Sequence, residues 1–312
     1  MAVSVGVVLG AACSGEGGRA GLEVSAAAAQ PARTPKAPAG RGSTPAKLTP
    51  KGEHRGKDGR LVPAPCPPAT EWPAGMACVR GGHFTRGEAR GRPDEKQPIE
   101  AYVSTFYMDK YEVTNAEYKG CIEAGICAKP VPFRRFGRER QPVVAVSWFD
   151  AQKYCTMVDK RLPTEAEWEH AARGPNNTRY PWGDEPKGCP EVNVEDRKLG
   201  KGCGKDVTKP VGSFAPGHYG LYDMAGNVHE WVFDWYTPCY SGCPEACGAD
   251  CSGENPKGPC DGAKRCPGRR LRSVRGGSWY WPLERARGAA RRGSGAPNRG
   301  PHRFGFRCGR DL

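Results

Sequence analysis

Fifteen cysteines in 312 residues are the main chemical resource of this chain. A thiolate can attack, hold a soft metal or oxidise to a disulfide, and spacing decides among these. Metal clusters favour close Cys-x-x-Cys pairs, which are absent here; the scattered spacing favours disulfides formed in an oxidising compartment. Cys121 and Cys127 flank the end of an expected helix and are placed to close a small loop, as are Cys66 with Cys78 and Cys189 with Cys203. Cys239, Cys243, Cys247, Cys251, Cys260 and Cys266 lie in a Gly/Pro-rich insert over 239–266, and six cysteines permit fifteen pairings among which sequence does not choose. The histidines show no pair at metal-ligand spacing, so zinc hydrolase chemistry finds no support. No Gly-x-Ser-x-Gly elbow, phosphate loop or dinucleotide fingerprint occurs.

The elements that would position these groups are short. Thr114 with Glu117 spells a capping box opening a helix over Asn115–Ala124, and Gly125 suits the left-handed position after it. Ser147 caps a second helix from Trp148 to about Val158, and Thr164 with Glu167 caps a third over Glu165–Arg173, preceded by Pro163 and closed by Gly174. Strands are expected at Cys78–Phe84, Tyr102–Tyr107, Val143–Val146, Arg272–Val274 and Phe304–Arg307. With 43 Gly and 30 Pro, most of the chain must be loop, and few helices among many loops imply a mixed α+β fold.

At the N-terminus, Val3–Cys13 is a short apolar stretch ending in small residues, the pattern of an export signal, and too short to span a bilayer. Gly10-Ala11-Ala12-Cys13 is an imperfect lipobox, with Leu9 one place too far from the cysteine; lipid attachment at Cys13 and an ordinary signal peptide both stand as readings. Removing Cys13 leaves an even number of cysteines, all able to pair. Residues 14–64, rich in Ala, Pro, Gly, Lys and Arg, are expected to form a disordered linker because they offer too little apolar surface to offset chain entropy. The folded domain is expected over 65–312. The formal charge of +13 is concentrated at its end, where 261–312 carries fourteen basic and three acidic residues. Such a quarter would attract anionic surfaces; nucleic acid is not expected, given the export pattern and the absence of any nucleic-acid motif.

A series of motifs then appears in order: Gly81-Gly82-His83-Phe84, Tyr107–Asn115 (YMDKYEVTN), Pro142–Trp148 (PVVAVSW), Arg161–Glu169 (RLPTEAEWE), Tyr180-Pro181-Trp182-Gly183, Gly220–Trp231 (GLYDMAGNVHEW), Arg275-Gly276-Gly277-Ser278-Trp279 and Gly305-Phe306-Arg307-Cys308. Across about 78–308 this order resembles the formylglycine-generating enzyme, or sulfatase-modifying factor, family. The resemblance implies one domain with that family's variant of the C-type-lectin fold, poor in regular secondary structure.

It also implies chemistry that can be checked residue by residue. The family's oxidases are similar copper-dependent enzymes that use two cysteines shortly after Gly-Gly-Ser to convert a substrate cysteine to formylglycine, because soft thiolates hold Cu(I). Here Trp281 stands where the first would be, and no cysteine occurs from Pro267 to Arg307. Copper is therefore not expected, and the chain looks like the cysteine-free branch of ligand-binding or accessory domains. The stretch Asp223–Glu230 resembles the family's calcium loop, with side-chain oxygens from Asp223 and Glu230 and carbonyls from Gly226 and Val228, and hard oxygen donors suit calcium. A second calcium site lacks support, because Asn193 and Val194 match but Cys203 takes the later acidic position. Cys155 and Cys308 match a family disulfide. His229 is read as a packing residue rather than a base. Trp279, Tyr280, Trp281 and Arg291, at the position of the family's active-site groove, are expected to line a cleft for a peptide, protein or glycan. The expectation is a noncatalytic binding or accessory module, exported to the cell envelope or secreted, touching membrane only through an N-terminal lipid. The alternative is a protein-modifying oxidase acting on cysteine.

Overall fold

A computed structural model describes residues 52–312 apart from Arg299, and the described residues fall within one compact unit. The expected signal segment and most of the expected linker lie outside the described residues. The end of that linker does not behave as expected: β1 (His54–Arg55) and β2 (Leu61–Val62) form a hairpin docked on the domain. Tyr102 donates its hydroxyl to Glu53 at 2.5 Å and Ala64 is fully buried, so ordered structure begins well before residue 65. Composition misled here because long-range partners fix the segment, not its own apolar content.

The chain continues through β3 (Met76–Val79), β4 (Gly82–Arg86), β5 (Ile99–Val103) and β6 (Phe106–Asp109), then helices α1 (Asn115–Glu123), α2 (Trp148–Met157) and α3 (Glu165–Arg173). After a long loop region come β7 (His229–Trp235), β8 (Gly253–Glu254), β9 (Arg272–Arg275), β10 (Arg291–Gly295), β11 (Phe304–Gly305) and β12 (Gly309–Asp311). The central four-stranded sheet runs β10-β9-β7-β11, with β11 parallel to β7. Two three-stranded sheets, β12-β6-β3 and β4-β5-β8, flank the core, giving the mixed α+β, disulfide-rich architecture.

All three helices start where their caps place them. Thr114 and Thr164 each complete a capping box with Glu117 and Glu167, and the Ser147 side chain accepts from the Asp150 amide. The strands differ more. Cys78–Phe84 breaks at Arg80–Gly81, where a Cβ on Gly81 would lie 2.2 Å from the Val103 carbonyl oxygen, so only glycine passes. Tyr102–Tyr107 also breaks, because β5 and β6 belong to different sheets. Val143–Val146 forms no strand: Ala145 sits at φ 62°, which interrupts an extended run although three valines there are buried.

The largest apolar cluster joins α1 and α2 to the central sheet through Tyr118, Trp148, Tyr154, Trp231, Phe304 and Phe306. Helix α3 is buried along its whole length. Its acids are answered from β4, β9 and β10: Glu165 by Arg86 and Arg291, Glu169 by Arg275 at 2.9 Å. Removing one member of such a buried pair leaves an uncompensated charge, so these contacts fix α3 against the strands.

Candidate functional site

The segment expected to line a groove leaves β9 through Gly276 and Gly277. Gly277 has φ +70°, and a Cβ there would lie 2.8 Å from Ala286, so the turn admits no side chain. That turn delivers Trp279 and Tyr280 onto the surface formed by Phe136, Val144 and Val228. Trp279 is 4% exposed, with its ring centroid 5.5 Å from that of Phe136, and serves as core. Its backbone is fixed on both sides, the N–H donating to the Asn227 carbonyl at 2.9 Å and the carbonyl accepting from Gly202 at 2.7 Å.

Tyr280 and Trp281 are half-buried. The Lys201 ammonium lies 3.4 Å from the Tyr280 ring centroid, and Arg292, Arg285 and Arg303 stand 4.8, 5.7 and 6.0 Å from Trp281. Arg291 is elsewhere and corrects the expectation. It is buried, donating to Glu165 through Nη2 at 2.6 Å and Nε at 3.0 Å, and stacks over Tyr240 at 4.4 Å. An arginine reads from sequence as a ligand-binding residue; Glu165 on α3 is the partner that turns it inward. Arg292, its neighbour, faces Trp281, and Arg303 lies against both Tyr280 and Trp281.

His229 packs edge-on against Phe304 at 5.4 Å. Burial, with Arg292 and Arg303 nearby, pushes its pKa down to about 3, so it stays neutral.

In the expected calcium loop, Asp223 adopts φ 57° and accepts from the Gly212 amide at 2.7 Å through Oδ2, while Oδ1 is buried with no partner. Burial pushes the Asp223 carboxyl up to about 6. Glu230 is held by Arg307 through both oxygens at 2.7 Å, and Trp168 Nε1 donates to Oε2 at 2.8 Å. A further acid, Glu112, reaches the loop: the Val228 amide donates to it at 3.1 Å and the Asn227 side chain at 2.6 Å. Burial, followed by repulsion from Asp223 and Glu230, holds Glu112 well above the usual carboxylate range. Sequence reasoning passed over Glu112, although it lies in the Tyr-Glu-Val-Thr run quoted above. Among the described residues no three acidic, histidine or cysteine side chains form a metal cage alone, so an ion here would need backbone carbonyls. Three acids face one guanidinium, and Asp223 Oδ1 lacks a donor; this donor set fits a hard cation. At the position of the second, unsupported calcium site, Cys203 is bonded to Cys189 and supplies no carboxylate.

All fourteen described cysteines are paired. The bonds are Cys66–Cys78, Cys121–Cys127, Cys155–Cys308 and Cys189–Cys203, and within the insert Cys239–Cys243, Cys247–Cys251 and Cys260–Cys266.

Comparison with known proteins places these features in context. The family described as "Sulfatase-modifying factor enzyme 1-like domain" matches residues 64–312. The chain is 32% identical to "Serine/threonine-protein kinase pkn1" of Chlamydia pneumoniae over 80% of its own length but only 39% of that protein. It thus spans well under half of that relative. It is 33% identical to the "Formylglycine-generating enzyme" of Streptomyces coelicolor, covering 80% of this chain and 96% of that one. Among solved structures, that of PvdO from Pseudomonas aeruginosa superposes with TM-score 0.60 at 25% identity, over 85% of this chain and 99% of that one. CarF, at 21% identity and TM-score 0.54, shares the fold over 77% of this chain and 99% of its own.

Proposed function

Because the chain belongs to the sulfatase-modifying factor family, we propose that it is a noncatalytic binding or accessory module of that family, which presents the surface around Tyr280 and Trp281 to a protein ligand outside the cytoplasm. One observation carries this reading. Every described cysteine is consumed in a disulfide, and the groove segment after Gly-Gly-Ser holds indole and phenol where a copper site needs paired thiolates. An indole N–H donates only, so Trp281 has no lone pair to give a metal.

Seven disulfides in one domain fit an oxidising compartment. They account for fourteen of the fifteen cysteines, and the remaining one is Cys13, where a lipid would attach after export. Calcium in the Asp223–Glu230 loop would neutralise carboxylates that Arg307 alone does not balance, and its role there is structural. Asp223 and Glu230 with the Gly226 and Val228 carbonyls would hold it.

The test is to incubate the purified protein with copper, oxygen and cysteine-bearing peptides and follow peptide mass. The account expects unchanged peptides. A mass loss corresponding to conversion of thiol to aldehyde establishes the oxidase alternative instead.

A further inference from the structure

Most buried or half-buried arginines in this fold are matched by acids: Arg86, Arg275 and Arg291 by Glu165 and Glu169, Arg287 by Glu95 and Arg307 by Glu230. Arg272, the buried exception, donates to the carbonyls of Phe233, Gly262 and Ala263 instead; the cations around Tyr280 and Trp281 have no acid partner. Among the described residues none of Lys201, Arg285, Arg292 and Arg303 has a carboxylate within salt-bridge distance, although all four lie against the two rings. Glu195 lies near Tyr280 but pairs with none of them. The Nε–H of Arg303 and the Nε1–H of Trp281 are buried donors without an acceptor. Arg292 is held below the usual guanidinium range, first by burial and then by repulsion from Arg303. Like charges crowded together and half-removed from water are costly, and such arrangements cluster at binding sites where a ligand supplies the missing charge.

The positive face continues past Tyr280. A cavity of about 270 Å³ is lined by Arg135, Arg138, Lys205 and Lys209 with the Thr208 hydroxyl, and among the described residues no acid lines it. Val207 on its wall and Tyr280 pack against the same cluster of Phe136, Val144, Val228 and Trp279, which brings the cavity near the cations beside Tyr280. Two separated cation groups suit a chain bearing several anions rather than a single small ion. Cations already lie against the Tyr280 and Trp281 rings, which leaves little aromatic face on which a sugar could stack.

We propose that this face binds an acidic polypeptide segment, with carboxylates received by Arg292 and Arg303 beside Trp281 and by the basic cavity beyond Tyr280. Guanidinium forks pair carboxylates through two parallel hydrogen bonds, which gives direction as well as charge. The proposal deepens the binding-module reading and rests on it for the choice of this groove.

The experiment uses the full chain, a fluorescent Glu-Gly repeat peptide and its Gln-Gly counterpart, with binding followed by anisotropy at low and physiological salt. The Glu peptide is expected to bind, more weakly as salt rises, and the Gln peptide to bind at least about tenfold less tightly. Arg303→Gln, and independently the exposed Lys205→Gln, should each weaken the Glu peptide several-fold while the melting temperature of Lys205→Gln stays that of the parent. Equal binding of the two peptides overturns the proposal, as does parental affinity in both variants. Binding of heparin without binding of the Glu peptide assigns the face to acidic glycans and also overturns it. Mass analysis of cysteine peptides run in parallel keeps the two claims apart: oxidation there sinks the noncatalytic reading but leaves the Glu-against-Gln comparison standing.

Discussion

Trp279 and Trp281 are two residues apart yet occupy different environments, one in the core against Phe136 and one half-buried among three arginines. Trp279→Ala should therefore cost about 3–5 kcal/mol of stability by urea denaturation, the usual range for emptying a buried aromatic site. Trp281→Ala should cost less than about half of that and express itself as lost ligand affinity. From sequence the two read alike, because both follow the Gly-Gly-Ser turn and nothing in one strand of text says that Phe136 will cover one of them. Asp223 makes a pH statement. Its pKa is raised in the fold to about 6, so the unfolded chain ionises it first. Its contribution is then fully present below the ordinary aspartate range and is lost as pH rises towards 6 and above. In chelator, the stability of the parent relative to Asp223→Asn should fall as pH rises from about 4 to about 6; a difference that does not change with pH would remove Asp223 as its source.

At the scale of elements, caps were the most legible signal because they are local: a hydroxyl and a carboxylate three residues apart satisfy the first free amides of a helix without help from the rest of the fold. Thr164→Ala should cost about 1 kcal/mol in the same denaturation measurement. Strands were less legible, since pairing is decided by distant segments. Val143, Val144 and Val146 look like a strand and are buried, but Ala145 at positive φ turns them into a packed loop. Arg291 illustrates the same limit, being drawn inward by Glu165, which lies 126 residues away. The Cys155–Cys308 bond ties α2 to the segment before β12 across 153 residues. Replacing both cysteines by alanine should cost about 2–5 kcal/mol, well above the loss from removing Cys247–Cys251, which closes only a short loop. Equal losses by calorimetry would mean that native-state strain, rather than loop closure, sets the contribution.

Across the whole molecule, sulfur and charge are organised by different rules. Every described thiol is spent on cross-links, whereas most buried arginines are matched by acids, Arg272 is met by backbone carbonyls, and the cations of the Tyr280–Trp281 face have no acid partner among the described residues. The acids are unbalanced in the opposite sense around Asp223, Glu112 and Glu230. Calcium should raise the melting temperature relative to chelator, magnesium should do so less because it demands tighter geometry, and Asp223→Ala should abolish the difference. The central claim, that this fold holds no thiolate copper site, is tested most directly by titrating the folded protein, its disulfides intact, with Cu(I) against a chromophoric chelator. The account predicts no stoichiometric transfer of copper from the chelator to the protein. Transfer of one equivalent, abolished by a cysteine substitution that leaves the fold intact, would contradict it.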